Sequence, residues 1–83
     1  MIELKLKAVG NLTTYENVVS GIENSEMKIK LNGITKEVLK QLIGSEAVDI
    51  RSAFEAIKNT LGYRCSGLRW TGEGDRIYYF IEC

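Results

Sequence analysis

Histidine is absent from the 83 residues of this chain, and so is proline. Without histidine there is no Ser-His or Cys-His nucleophile pair, no imidazole metal ligand and no side chain that titrates near neutrality unaided. Without proline there is no cis-prolyl turn and no polyproline ligand motif. Cysteine is scarce, with Cys65 and Cys83 alone. Two thiols without histidine do not make a standard zinc set, and small secreted disulfide scaffolds ordinarily use more. No apolar run reaches the length of a membrane span, and no block of like charge stands out among 11 basic and 11 acidic side chains. That balance speaks against a dedicated nucleic-acid binder, whose phosphate contacts call for a basic excess. It leaves room for a local basic face. The start, Met1-Ile2-Glu3-Leu4-Lys5, alternates and carries charge, unlike a signal or transit peptide. The expected location is therefore the cytoplasm, of a cell or of a host, and Asn11-Leu12-Thr13 reads as a chance match to the glycosylation triplet.

What is present fits one globular domain spanning residues 1–83. Hydrophobic residues are 45% and charged residues 27% of the chain, both ordinary for a folded protein. A chain of this length buries about 60–65% of the surface its unfolded form exposes, enough for one core.

Hydrophobic periodicity divides the chain into seven elements. Residues 2–9 alternate, with Ile2, Leu4, Leu6 and Ala8 on one side and Glu3, Lys5 and Lys7 on the other, as in a half-buried strand ended by Gly10-Asn11. Thr13-Thr14-Tyr15-Glu16 fits a capping box opening a helix over 13–23. Residues 26–31 alternate again, with Met27, Ile29 and Leu31 inward and Lys28 and Lys30 outward, predicting a second strand. A helix over 36–43 carries Val38, Leu39, Leu42 and Ile43 on its apolar side, with Gly44 as its cap. The clearest helix covers 49–61, with Ile50, Ala53, Phe54, Ile57 and Leu61 at helical spacing, Asp49 at its start and Gly62 at its end. The last third reads as a hairpin, Tyr63–Thr71 against Arg76–Glu82, turning at Gly72-Glu73-Gly74-Asp75. Trp70 opposite Ile77 puts Leu68 and Trp70 on the face of Ile77, Tyr79 and Ile81. Cys65, Gly67, Arg69, Tyr78, Phe80 and Glu82 then take the reverse face. The predicted fold is α+β, in the order β-α-β-α-α-β-β, with three helices packed on one face of a four-stranded mixed or antiparallel sheet.

The sequence offers little chemistry. The carboxylates are scattered among basic neighbours, and Glu73 and Asp75 suit a turn. Gly72-Glu73-Gly74 lacks the spacing, the lysine and the helix of a phosphate loop. Cys65 reads as a half-buried strand residue and Cys83 as an exposed terminal thiol able to oxidise between molecules. No catalytic residue, metal or cofactor is expected. The one constellation is a face. If all four strands share a sheet, Lys5, Lys7, Lys28 and Lys30 join Arg69, Tyr78 and Phe80 on its open side. Such a mixture of cations and aromatics occurs on RNA-binding sheets, but lysines also protect exposed strands from aggregation. Trp70 is the natural filler of a small core, yet tryptophan and arginine favour binding hot spots. Arg69, Trp70, Tyr78 and Phe80 are therefore the candidate partner contacts. The expected function is a non-enzymatic protein-binding module, an inhibitor, adaptor or small subunit of the kind mobile elements encode. Weak binding of RNA or single-stranded nucleic acid through Lys5, Lys7, Lys28, Lys30 and the aromatics is the alternative. A homodimer formed through an uncovered sheet face or edge fits either, and no membrane association is expected.

Overall fold

The computed structural model describes residues 2–44, 46–73 and 76–83. Strand β1 (Glu3–Ala8) buries Leu4, Leu6 and Ala8 and exposes the residues between them, as its alternation requires. The chain reverses at Gly10-Asn11, where Val9 and Leu12 exchange both backbone hydrogen bonds. Gly10 has φ 63°, and a positive φ at the first position of a two-residue loop is what a type II′ turn demands. The turn leads into β2 (Leu12–Thr13), which pairs antiparallel with β3 (Val48–Asp49). These two short strands tie the start of the chain to the entry of its last helix.

Helix α1 (Tyr15–Glu23) is capped by Thr14, whose hydroxyl accepts from the Asn17 N–H. The expected Thr13–Glu16 capping box does not form. Thr13 belongs to β2, is buried, and donates its hydroxyl to the Lys7 carbonyl at 2.8 Å. Helix α2 (Gly33–Ile43) starts three residues before the expected position 36, because Asn32 accepts from the Thr35 N–H and sets the first turn there. Gly44 ends it with φ 80°. Helix α3 (Ile50–Leu61) follows its pattern closely and ends at Gly62, which is left-handed and donates its N–H to Lys58. Asp49 stands at its N-cap position without making a side-chain capping bond.

The strand predicted at 26–31 is instead a 3-10 helix, Glu26–Lys30. Ser25 accepts from the Met27 N–H, and Met27 is the one residue of the segment that is buried. An alternation of six residues is too short to separate the two conformations. A strand here would also need a free sheet edge, and the edge of β1 is taken by α1. The predicted four-stranded sheet is accordingly three-stranded and antiparallel, ordered β1-β5-β4, with β4 (Gly67–Glu73) and β5 (Arg76–Glu82) forming the hairpin. The element order is β-β-α-α-β-α-β-β, with the 3-10 helix between α1 and α2. The turn expected at Gly72-Glu73-Gly74-Asp75 lies in part outside the described residues.

Hairpin register differs from expectation by two residues: Trp70 stands opposite Tyr79, and Gly72 opposite Ile77. A shift of two keeps every side chain on its predicted face. The inner face of the sheet, with Leu4, Leu6 and Ile81 fully buried, packs on Val18 and Ile22 of α1, Leu39 and Ile43 of α2, Ile50, Ala53, Ile57 and Leu61 of α3, and Met27. Cys65 and Cys83 form a disulfide. Cys65 precedes β4 rather than lying mid-strand, and Cys83 is bonded within the chain rather than left as a free terminal thiol.

Candidate functional site

The uncovered face of the sheet is built by strand register. Glu3, Glu82 and Gly67 stand in one cross-strand row, Lys5, Phe80 and Arg69 in the next, and Lys7, Tyr78 and Thr71 in the third. Glu3 and Glu82 are like charges directly opposite one another, an unfavourable pair alone. Arg69 answers both, with Nη2 at 2.6 Å from Glu3 Oε2 and Nε at 3.6 Å from Glu82 Oε1. Its guanidinium also lies over the Phe80 ring, 4.4 Å from the centroid, and Lys5 Nζ lies 4.3 Å from the Tyr78 centroid. Each such contact contributes about 0.5–1 kcal/mol at an exposed site. An open groove of about 420 Å³ runs between this face and α1, lined by Glu3, Lys5, Lys7, Asn17, Ser20 and Tyr78 among others.

Five of the eight predicted site residues, Lys5, Lys7, Arg69, Tyr78 and Phe80, thus share one surface. The other three do not join it. Lys28 and Lys30 are exposed on the 3-10 helix, outside the sheet. Trp70 is on the reverse side, with Leu68 and Tyr79. It fills no core: 66% of its surface is exposed, and its ring lies beside Gly72, where an added Cβ would come 3.5 Å from Trp70 Cζ3.

A second surface lies on α2. Its start at Gly33 brings Ile34 into the helix, so that Ile34, Val38 and Leu42 recur at i, i+4 and i+8 on one side. They are 79%, 38% and 58% exposed, while Leu39 and Ile43 on the other side are buried. Ile29, on the preceding 3-10 helix, is 83% exposed. Single exposed aliphatic residues are ordinary, whereas here three recur along one helix face. The row ends at a shallow groove of about 390 Å³ in which Leu42 faces Arg51, Ser52, Glu55, Ala56 and Asn59 of α3.

No family model, no curated protein and no solved structure matches this chain. Its surfaces are therefore read from their own chemistry.

The apolar row was accessible to sequence reasoning through one signal. Val38, Leu39, Leu42 and Ile43 alone span no more than the width of an ordinary amphipathic stripe. Once Asn32 is recognised as the cap, Ile34 extends the outer half of that stripe by a full turn.

Proposed function

We propose that this chain is a non-enzymatic protein-binding module, an inhibitor, adaptor or small subunit, that meets its partner through the exposed face of α2. The row Ile34, Val38 and Leu42 carries the reading. Burying an aliphatic side chain contributes about 1.5–3 kcal/mol, so three in register offer a partner a substantial apolar anchor. The groove beside Leu42 accepts a side chain from that partner, with Arg51 and Glu55 at its rim. The double substitution Ile34→Lys with Leu42→Lys is expected to leave the fold within about 0.5 kcal/mol of the parent, as surface changes usually do, and to abolish partner capture. Retention of the same partner by the folded double variant would contradict this assignment.

A second reading is favoured by a different observation: Lys5, Lys7 and Arg69 share the open sheet face with Tyr78 and Phe80. That arrangement suits weak binding of RNA or single-stranded nucleic acid. Here the aromatic rings lie against Lys5 and Arg69, and Glu3 and Glu82 engage Arg69, so a nucleic acid would have to displace contacts already made. The reading predicts anisotropy of labelled single-stranded RNA that rises on adding the protein and collapses with moderate salt, because each phosphate contact releases counterions. A flat response at low salt would remove it.

A cytoplasmic location belongs to the same proposal and has a chemical consequence. Reducing compartments hold thiols apart, so there the chain would carry Cys65 and Cys83 reduced, and the disulfide form would belong to oxidising surroundings.

A further inference from the structure

We infer that the outer edge of β4 pairs with the β4 of a second copy of this chain, joining two three-stranded sheets into one six-stranded sheet. Ile2 and Cys83 exchange both backbone hydrogen bonds, so the backbone groups of Cys83, Ile81, Tyr79 and Ile77 face β1 and those of Glu82, Phe80 and Tyr78 face β4. Within β4 the groups of Arg69 and Thr71 are then spent on β5, and those of Leu68, Trp70 and Gly72 point away from it. None of these three has a backbone partner among the described residues. The opposite edge of the sheet is obstructed by α1 and β2: Lys7 O accepts from Thr13, and α1 comes close to Lys5 O at Gly21. One open edge per chain allows pairing to close at two and prevents a growing fibre.

The β4 edge lacks two of the usual protections. It runs seven residues, Gly67-Leu68-Arg69-Trp70-Thr71-Gly72-Glu73, without proline or lysine. Its sequence also complements itself about Thr71. With Thr71 on the two-fold axis, Trp70 stands opposite the second copy's Gly72. The exposed indole of each chain thus meets the smallest possible neighbour. The pairing uses no residue of α2.

The test is sedimentation equilibrium of the oxidised full chain over a wide concentration range, with amide exchange on the same samples. Twice the chain mass is expected at high concentration, with the Trp70 and Gly72 amides protected there and exchanging freely on dilution. Gly72→Pro removes an outward N–H without touching the bonds to β5 and is expected to halve the mass. Trp70→Lys, which adds an edge charge, is expected to do the same should the proline variant fold poorly. A single-chain mass for the parent at every concentration overturns the inference. So does a double mass that survives in a folded Gly72→Pro or Trp70→Lys variant.

Discussion

Opening the Cys65–Cys83 bond is expected to lower the unfolding free energy by about 3 kcal/mol, the loop-closure contribution for residues this far apart. The two cysteines are 18 residues apart and bracket the entire β4–β5 hairpin. β5 is the central strand, so the bond holds the end of the chain where β1 and β4 both pair with it. A domain of this length has only roughly 4–12 kcal/mol of stability to lose. At about 4–8 °C per kcal/mol, the melting temperature should fall by roughly 12–24 °C, whether the bond is removed by reductant or by the double substitution Cys65→Ser with Cys83→Ser. Thermal denaturation followed by circular dichroism measures it. Identical melting curves with and without reductant would show that the hairpin holds itself and that the bond adds nothing.

The second large effect is expected at Gly21, where an alanine should cost about 1–2 kcal/mol even though alanine is the better helix former. A Cβ at this position would come 2.6 Å from the Lys5 carbonyl oxygen and 2.7 Å from Leu6 Cδ2. The leucine can rotate, but the carbonyl is fixed in β1, so α1 must move outward from the strand it covers. Overpacking of this kind costs about 1–3 kcal/mol or somewhat more, against roughly 1 kcal/mol returned by replacing a glycine inside a helix. Urea titration of Gly21→Ala should show a lower midpoint with an unchanged slope. A higher midpoint would mean that α1 does not seal the edge of β1, and the case for a single open edge at β4 would fall with it.

Gly21 and the cysteines also illustrate where the sequence was legible. Strong, long periodicities survive folding: β1 and α3 were readable because eight or more residues repeat one pattern. The faces of the hairpin were readable although its register was not, since a two-residue shift preserves parity. The disulfide was concealed for another reason: strict alternation puts Cys65 on the reverse face from Cys83 in either register. β4 starts only at Gly67, and with the Ser66 N–H donating to the Glu82 carbonyl the chain leaves the ladder there and brings the two sulfurs together. Over 26–31, alternation across six residues fits a strand and a short capped 3-10 helix alike. At 13–14, two adjacent threonines could each cap a helix, and pairing of β2 with β3 decided between them. The role of Gly21 could not be read at all. A glycine within a helix pattern weakens the helix on propensity grounds, and only the approach of β1 explains its place there.

The candidate site was legible by the same measure. Lys5, Lys7, Arg69, Tyr78 and Phe80 share a face because strand parity puts them there. Lys28 and Lys30 depended on a strand that does not exist. The α2 row depended on a helix start set by a single asparagine side chain.

The account rests on α2 as the contact surface, and site-specific photo-cross-linking in cell extract tests it most directly. One preparation carries a photoreactive side chain at position 38 on α2, and another carries it at position 7 on the open sheet face. The account predicts a discrete protein adduct from position 38 and none from position 7. Adducts from position 7 alone, whether to protein or to nucleic acid, would contradict it.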